Sequence, residues 1–303
     1  MHGKKYSKYV KTLEFRENRP DFYRQGLKLG PDFFGFDIQL ELGTYVAPGE
    51  LGRNPGKPHV HNFDQVMMWI GVDTHDMGDL DAEIELCLGE DLERVMVTTS
   101  TAIFVPKGTP HYPATIHRMD KKSLYMEISY TKRYSEKVYD ADKKPGDYAA
   151  FMSKTFGMIE GFAFRRKGPW SYGPTNRDDS GGKLAIISGK MIENEFLLLF
   201  ESIEKAPYRF GPNPWAPHAH PMPEVLFFLG SDPGNLYDLG GEAEFALGKE
   251  KELHVINKPT AVICPDNFPH CPLTITKVDR PFFLMDLRPF GMMGKKDKMS
   301  EIK

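Results

Sequence analysis

The sequence lacks most of the features that mark a specialised class of protein. It has only 3 cysteines among 303 residues, too few and too scattered for a disulfide framework, which fits a reducing compartment. No stretch approaches the roughly 18 consecutive apolar residues of a membrane-spanning helix, so we expect no membrane association. A formal net charge of −3 lacks the basic excess typical of proteins that bind nucleic acids, so we expect no nucleic-acid partner.

Signal-peptide and helical patterns are also scarce. Residues 1–18 contain no apolar core of the kind found in a signal peptide, and we therefore expect a cytoplasmic protein. Aromatic residues make up 12% of the chain, and Gly (28) and Pro (24) are frequent. This composition favours short strands joined by turns over long helices.

What the sequence does contain is an internal repeat. The segment 58–71 resembles the segment 217–230, which lies 159 positions further along the chain. The same offset, without a gap, continues to position 126 and pairs His111 with His270. The chain therefore holds two copies of one domain. We predict an N-terminal barrel with a leading arm at 1–135, a linker or lid at 136–182, a C-terminal barrel at 183–292 and a flexible tail at 293–303.

Within each copy the hydrophobic pattern has the period of a strand. Polar and apolar residues alternate at 83–88 and at 242–247, and short apolar runs elsewhere end at proline or glycine. We therefore predict an all-β fold of two small antiparallel barrels or sandwiches, with short helices in the linker, one of them at 148–158. Trp170 and Tyr172 lie in a Gly-rich loop that is either a solvated linker or a lid over a barrel mouth.

The repeated histidines of the second copy predict a metal site. His218 and His220 are two residues apart and so share one face of a strand, and Glu224 continues the same parity. His270 arrives from another strand, after a turn rich in proline. Three imidazoles and a carboxylate suit a divalent transition metal (Fe, Mn, Ni or Zn) and leave coordination positions open for catalysis. The flanking Cys264 and Cys271 are expected to be small buried hydrophobic residues.

The first copy repeats the pattern with one change. His59, His61 and His111 match the second copy, but Gln65 stands where Glu224 does. An amide oxygen is a neutral and weaker ligand, so this site either binds a metal more weakly or is a degenerate copy held by hydrogen bonds. The chain is therefore expected to hold one or two metal ions.

These motifs resemble those of the cupin superfamily, and in particular of the two-domain bicupins. The first cupin motif is matched at His218, His220, Glu224 and Gly230, with one residue fewer before the glycine. The second is matched by the segments 106–111 and 265–270, where Asn267 replaces the motif glycine. The resemblance covers about 55–130 and 214–290, and it implies duplicated jelly-roll barrels centred on metal. It also implies a homodimer, unless the two copies make that contact within one chain.

The resemblance leaves the reaction open, because the fold hosts many functions. Quercetin-dioxygenase-like members share the set of three histidines and one glutamate, whereas oxalate-decarboxylase-like bicupins usually carry the glutamate in both copies. Our leading hypothesis is therefore a metal-dependent dioxygenase acting on a small organic, aromatic or otherwise planar substrate. A redox-neutral decarboxylase or isomerase of a small acid or sugar, and a barrel that only binds a small ligand, are the alternatives.

Candidate residues for substrate binding surround the second site. Leu226 and Phe228 share the strand parity of Glu224, and Trp215 precedes the histidine pair, so together they predict an apolar pocket. Each of them is equally consistent with an ordinary barrel core. Arg288 is the candidate clamp for a substrate carboxylate. Glu224 is the candidate catalytic residue, as a fourth ligand or, when substrate displaces it, as a general base.

Overall fold

The computed structural model describes residues 4–19, 22–52, 56–140, 157–160, 165–166, 181–188, 196–210 and 217–290. The chain divides into two units. The N-terminal unit comprises Phe15–Val72 and Asp76–Phe162. The C-terminal unit comprises Met1–Glu14, Asp73–His75 and Ala163–Lys303. None of the helices in the described residues has the length and apolar character needed to cross a membrane.

The described residues up to Glu160 form two short helices and fourteen strands. The helices are a 3-10 turn (Ser7–Tyr9) and α1 (Pro31–Phe34). The strands are β1 (Val10–Thr12), β2 (Arg16–Arg19), β3 (Tyr23–Leu29), β4 (Gln39–Tyr45), β5 (Gly49–Glu50), β6 (His59–Val60), β7 (Gln65–Gly71), β8 (Asp79–Leu88), β9 (Glu93–Thr99), β10 (Thr101–Val105), β11 (His111–Met119), β12 (Ser123–Ser129), β13 (Lys137–Val138) and β14 (Gly157–Glu160).

The described residues that follow form ten more strands. These are β15 (Arg165–Arg166), β16 (Gly181–Ser188), β17 (Leu197–Ile203), β18 (Tyr208–Phe210), β19 (Glu224–Gly230), β20 (Gly241–Leu247), β21 (Glu252–Ile256), β22 (Thr260–Cys264), β23 (His270–Val278) and β24 (Phe282–Arg288). The all-β prediction is confirmed. The predicted helix at 148–158 is wrong at its end, because Gly157 and Met158 pair with β10 in β14, while 148–156 lie outside the described residues.

Each unit is built from two antiparallel sheets. The N-terminal unit combines the order β14-β10-β7-β12-β4-β3-β2 with the order β13-β6-β11-β8-β9, and β5 also pairs with β11. The C-terminal unit combines β1-β22-β19-β24-β17-β16-β15 with β18-β23-β20-β21. Strands with alternating burial, such as β8, put one face on the core and the other toward solvent. Each unit has its own cluster of buried apolar residues, so the two units have separate hydrophobic cores.

The leading arm does not pack where the sequence placed it. The sequence predicts residues 1–14 as an arm of the N-terminal barrel, but they belong to the C-terminal unit, where β1 pairs with β22 from Val10↔Val262 to Thr12↔Thr260. Carboxylate oxygens of Glu252 accept hydrogen bonds from the backbone N–H groups of Lys5 and Tyr6, at 2.8 and 3.0 Å. The arm lies outside the repeat, so the repeat could not indicate its partner.

Candidate metal centres

The ligands of the C-terminal site stand where strands begin. Glu224 opens β19 and His270 opens β23, while His218 forms an isolated backbone bridge with His270 through two N–H···O bonds of 3.0 Å. His220 follows two residues after His218, so both side chains point to the same side. The ladder thus fixes the backbone of each ligand while its side chain faces the barrel interior.

The structure brings the four predicted ligands together. The ring centroid of His218 lies 4.9 Å from that of His220 and 4.4 Å from that of His270. Oε2 of Glu224 lies 2.7 Å from Nε2 of His270 and 3.6 Å from Nε2 of His220. All four side chains are buried, with at most 7% of the residue exposed.

The ligand atoms at this site group into two triads that share His270. His220, Glu224 and His270 form one triad, and His218, His270 and Cys271 form the other, each with all atoms within 4.8 Å. The sequence predicts four metal ligands without sulfur, and it predicts Cys271 as a small buried hydrophobic residue. The repeat contained the missing signal, because Cys271 follows the histidine at the position that Tyr112 occupies in the first copy.

Several polar atoms of this site have no hydrogen-bond partner among the described residues. They are Nδ1 of His218, Nε2 of His220, Nε2 of His270 and Oε2 of Glu224; the last two form an ion pair with each other at 2.7 Å. Nδ1–H of His270 can donate to the carbonyl of Phe268 at 2.9 Å, which leaves Nε2 with a lone pair toward the site. Buried polar atoms of this kind need a partner, and a metal ion would supply it.

The electrostatics favour ligation. Burial lowers the pKa of His218 to about 3 and that of His220 to about 4, so both imidazoles are neutral at neutral pH. Burial alone would raise the pKa of Glu224, but Arg288 and His270 lower it well below its usual value. Burial opposes protonation of His270, yet neighbouring Cys264 and Glu224 raise its pKa. A cation at this site would replace that proton.

Arg288, for which clamping of a substrate stays a prediction, contacts acidic side chains of the chain itself. Its Nε and Nη2 lie 2.9 and 2.7 Å from Oε1 of Glu224, and Nη2 lies 3.2 Å from Oδ2 of Asp286. The guanidinium is therefore engaged by two carboxyl groups of the chain itself. Sequence reasoning missed Asp286, which is 1% exposed and whose pKa burial raises to about 8. Arg288 thus orients Glu224 and keeps it ionised.

The N-terminal site has the same backbone arrangement. The ligand atoms of His59, His61 and His111 lie within 4.8 Å of one another, and His59 pairs with His111 in the ladder. Nδ1 of His111 contacts the carbonyl of Thr109 at 2.9 Å, and Nδ1 of His61 contacts that of Ser135 at 2.6 Å. Burial, together with the other two histidines, lowers the pKa of His111 well below its usual value. His111 therefore also presents a neutral imidazole.

Gln65 differs from Glu224 in its hydrogen-bond partners as well as in its own side chain. Its Nε2 donates to Oε1 of Glu127 at 3.1 Å and to Oγ of Ser129 at 3.0 Å. The offset of 159 pairs Glu127 with Asp286 and Ser129 with Arg288. The first barrel therefore has the amide of Gln65 and the hydroxyl of Ser129 where the second has the carboxylate of Glu224 and the guanidinium of Arg288. The carboxylate of Glu127 can only accept hydrogen bonds, so the end of the Gln65 amide that faces it is the nitrogen. Oε1 of Gln65 is left buried without a partner among the described residues.

The remaining predicted residues fall into two groups. Leu226 and Phe228 are 2% and 0% exposed and belong to the packed apolar cluster of the C-terminal unit. Contact with substrate stays a prediction for both. Trp215, the lid residues Trp170 and Tyr172, and the tail at 293–303 lie outside the described residues.

Comparison with known proteins identifies the fold. No protein-family model matches the sequence, and no curated protein matches it. Solved structures do match. AerE from Microcystis aeruginosa is 10% identical, with 93% of this chain and 98% of that chain covered and a TM-score of 0.51. Bacillus subtilis oxalate decarboxylase, studied for its Mn(II) centres, is 11% identical over 94% and 78% (TM-score 0.52). Vicilin from Corylus avellana is 12% identical over 94% and 86% (TM-score 0.53).

Proposed function

Because the chain has the bicupin fold of the cupin superfamily, we propose that it is a metal-dependent enzyme whose working site is formed by His218, His220, Glu224 and His270. The observation that carries the proposal is the group of buried ligand atoms that face one another without hydrogen-bond partners among the described residues. A divalent transition metal would supply Lewis acidity there and, if it is Fe or Mn, reactivity toward dioxygen.

The reaction we propose is dioxygenation of a small organic substrate with an apolar body. The interior next to Glu224 supports this choice, because Leu226 and Phe228 on the same strand are apolar and belong to an apolar cluster. When substrate displaces Glu224 from the metal, Oε2 is the atom that would accept a proton from the substrate, since Oε1 is engaged by Arg288. Arg288 holds this carboxylate in one orientation while Oε2 acts.

A redox-neutral decarboxylation of a small organic acid is the second candidate. It is favoured by the buried pairing of Arg288 with Glu224 and Asp286, because a guanidinium that binds carboxylates of the chain can also bind one from a substrate. One solved structure with this fold is an oxalate decarboxylase. In this reaction Glu224 would hold and return the proton that replaces the lost carboxyl group.

The decisive experiment combines metal analysis with measurement of oxygen uptake. Protein purified without added metal should carry metal that is lost in His220→Ala, and His61→Ala is the matched control that should keep the metal of the second site. Dioxygenation requires one dioxygen consumed per turnover, and Glu224→Gln should lower kcat by about 10²-fold or more. Turnover without oxygen uptake, retained in zinc-loaded protein, would support decarboxylation instead. Binding of organic ligands without any turnover would indicate a non-catalytic barrel.

A further inference from the structure

A backbone irregularity turns two consecutive side chains into the C-terminal barrel. In a regular strand, His270 and Cys271 would face opposite sides of the sheet. Here Cys271 has a positive φ of 78°, and the register between β23 and β20 shifts between Phe245 and Leu247. Both residues are buried, at 2% and 3% exposure. The bulge thus places the thiol in the interior that holds the imidazole.

The thiol lies among groups that can bind metal. The ligand atoms of His218, His270 and Cys271 are within 4.8 Å of one another. Nδ1 of His218 is buried and has no hydrogen-bond partner in the described part of the chain. If Cys271 only packed in the hydrophobic core, nothing would explain why a buried imidazole nitrogen of His218 near it has no partner in the described part of the chain.

The first barrel shows what the same backbone position does without sulfur. Tyr112 occupies it with a similar positive φ of 70°. Its ring stacks on His59, with centroids 4.9 Å apart and an interplanar angle of 21°. The irregularity is therefore common to both barrels, but only the second one offers a sulfur atom there.

We propose that Cys271 is a metal ligand of the C-terminal site, together with His218 and His270, and that the site therefore takes Fe, Co or Zn in preference to Mn or Mg. Thiolate ligands favour the former ions, whereas carboxylate and water ligands suit the latter. This proposal rests on metal binding by the second site in the proposed function. On binding, the thiol releases its proton to solvent as the sulfur–metal bond forms, and no oxidation occurs.

The test is a Co(II) titration of the full chain. A thiolate bound to Co(II) produces a charge-transfer absorption in the near ultraviolet, whereas nitrogen and oxygen ligands produce only the weaker visible bands. The matched control is Cys264→Ala, because Cys264 is also buried and lies beside His270. We expect the ultraviolet band in the wild type and in Cys264→Ala, and its loss in Cys271→Ala while the visible bands remain.

Two results would overturn the proposal. One is an ultraviolet band that persists in Cys271→Ala. The other is its absence from wild-type protein whose Co(II) is lost in His220→Ala. If Co(II) does not bind the second site at all, the proposed function fails as well. Should Cys271→Ala not fold, Cys271→Ser keeps the size of the side chain and should lower Cd(II) affinity by about tenfold or more, with Mn(II) affinity unchanged. Equal losses for both ions would also contradict the proposal.

Discussion

Replacing Arg288 with serine tests how the second site holds its carboxylate in the absence of metal. Arg288 contacts Oε1 of Glu224 at 2.7 Å and Oδ2 of Asp286 at 3.2 Å, and the three side chains are 14%, 3% and 1% exposed. Removing the guanidinium takes the cation from between two buried carboxyl groups and leaves Glu224 with the imidazole of His270 as its ion-pair partner. Breaking a buried ion pair from one side costs about 3–5 kcal/mol of the free energy of unfolding.

The first barrel provides the matched rescue. Gln65 and Ser129 occupy the positions of Glu224 and Arg288 and are joined by a hydrogen bond of 3.0 Å. The double variant Glu224→Gln/Arg288→Ser copies that neutral pair into the second barrel. We therefore expect it to be more stable than Arg288→Ser alone, with a coupling free energy of about 2–3 kcal/mol between the two substitutions.

The assay is urea unfolding of the metal-free protein, monitored through the hydrogen exchange of peptides from β24. These peptides report on the C-terminal unit alone. Glu224→Gln, Arg288→Ser and the double variant complete the cycle with the wild type. Additive effects of the two single substitutions would refute the reasoning, because they would mean that Arg288 and Glu224 stabilise the fold independently of each other.

Two further predictions concern the C-terminal unit. Its metal-free stability should be greatest near about pH 6.5. His218 and His220, with pKa values lowered to about 3 and about 4, destabilise the fold as the pH falls from there; Asp286, with a pKa raised to about 8, loses its contribution as the pH rises through that value. Thermal unfolding across this range checks it, and a monotonic profile would contradict it. Gly248→Ala should destabilise the unit by about 1–3 kcal/mol, because φ is +74° and a Cβ would overlap the ring of Tyr6. An unchanged melting temperature would contradict this.

The repeat predicted much of the fold because it compares the chain with itself. Strands expected at 83–88 and 242–247 lie within β8 and β20, and the two histidine groups converge as the offset required. A strand at these positions buries every second residue, so the pattern is local and readable. The division of the chain into two copies rests on the same comparison.

What the sequence left out depends on contacts between distant residues. Arg288 is engaged by Glu224 and Asp286, whose side chains become neighbours only when β24 pairs with β19. Cys271 enters the site because a bulge reverses its direction, and a positive φ at cysteine is not predictable from the residue type. A comparison of the two copies does single out Asp286 and Cys271, because they stand at the positions of Glu127 and Tyr112.

The pairing of β1 with β22 has a consequence for the order of folding during synthesis. Val10 meets Val262, so the two strands are separated by 262 − 10 = 252 positions. The arm therefore leaves the ribosome about 250 residues before its partner strand does. Until β22 is made the arm lacks its partner strand, and without the arm the outer edge of β22 would stay uncovered. A truncated chain that begins at the linker would contain the second histidine site but would leave that edge open to other strands. The arm thus completes a domain whose other strands are synthesised much later.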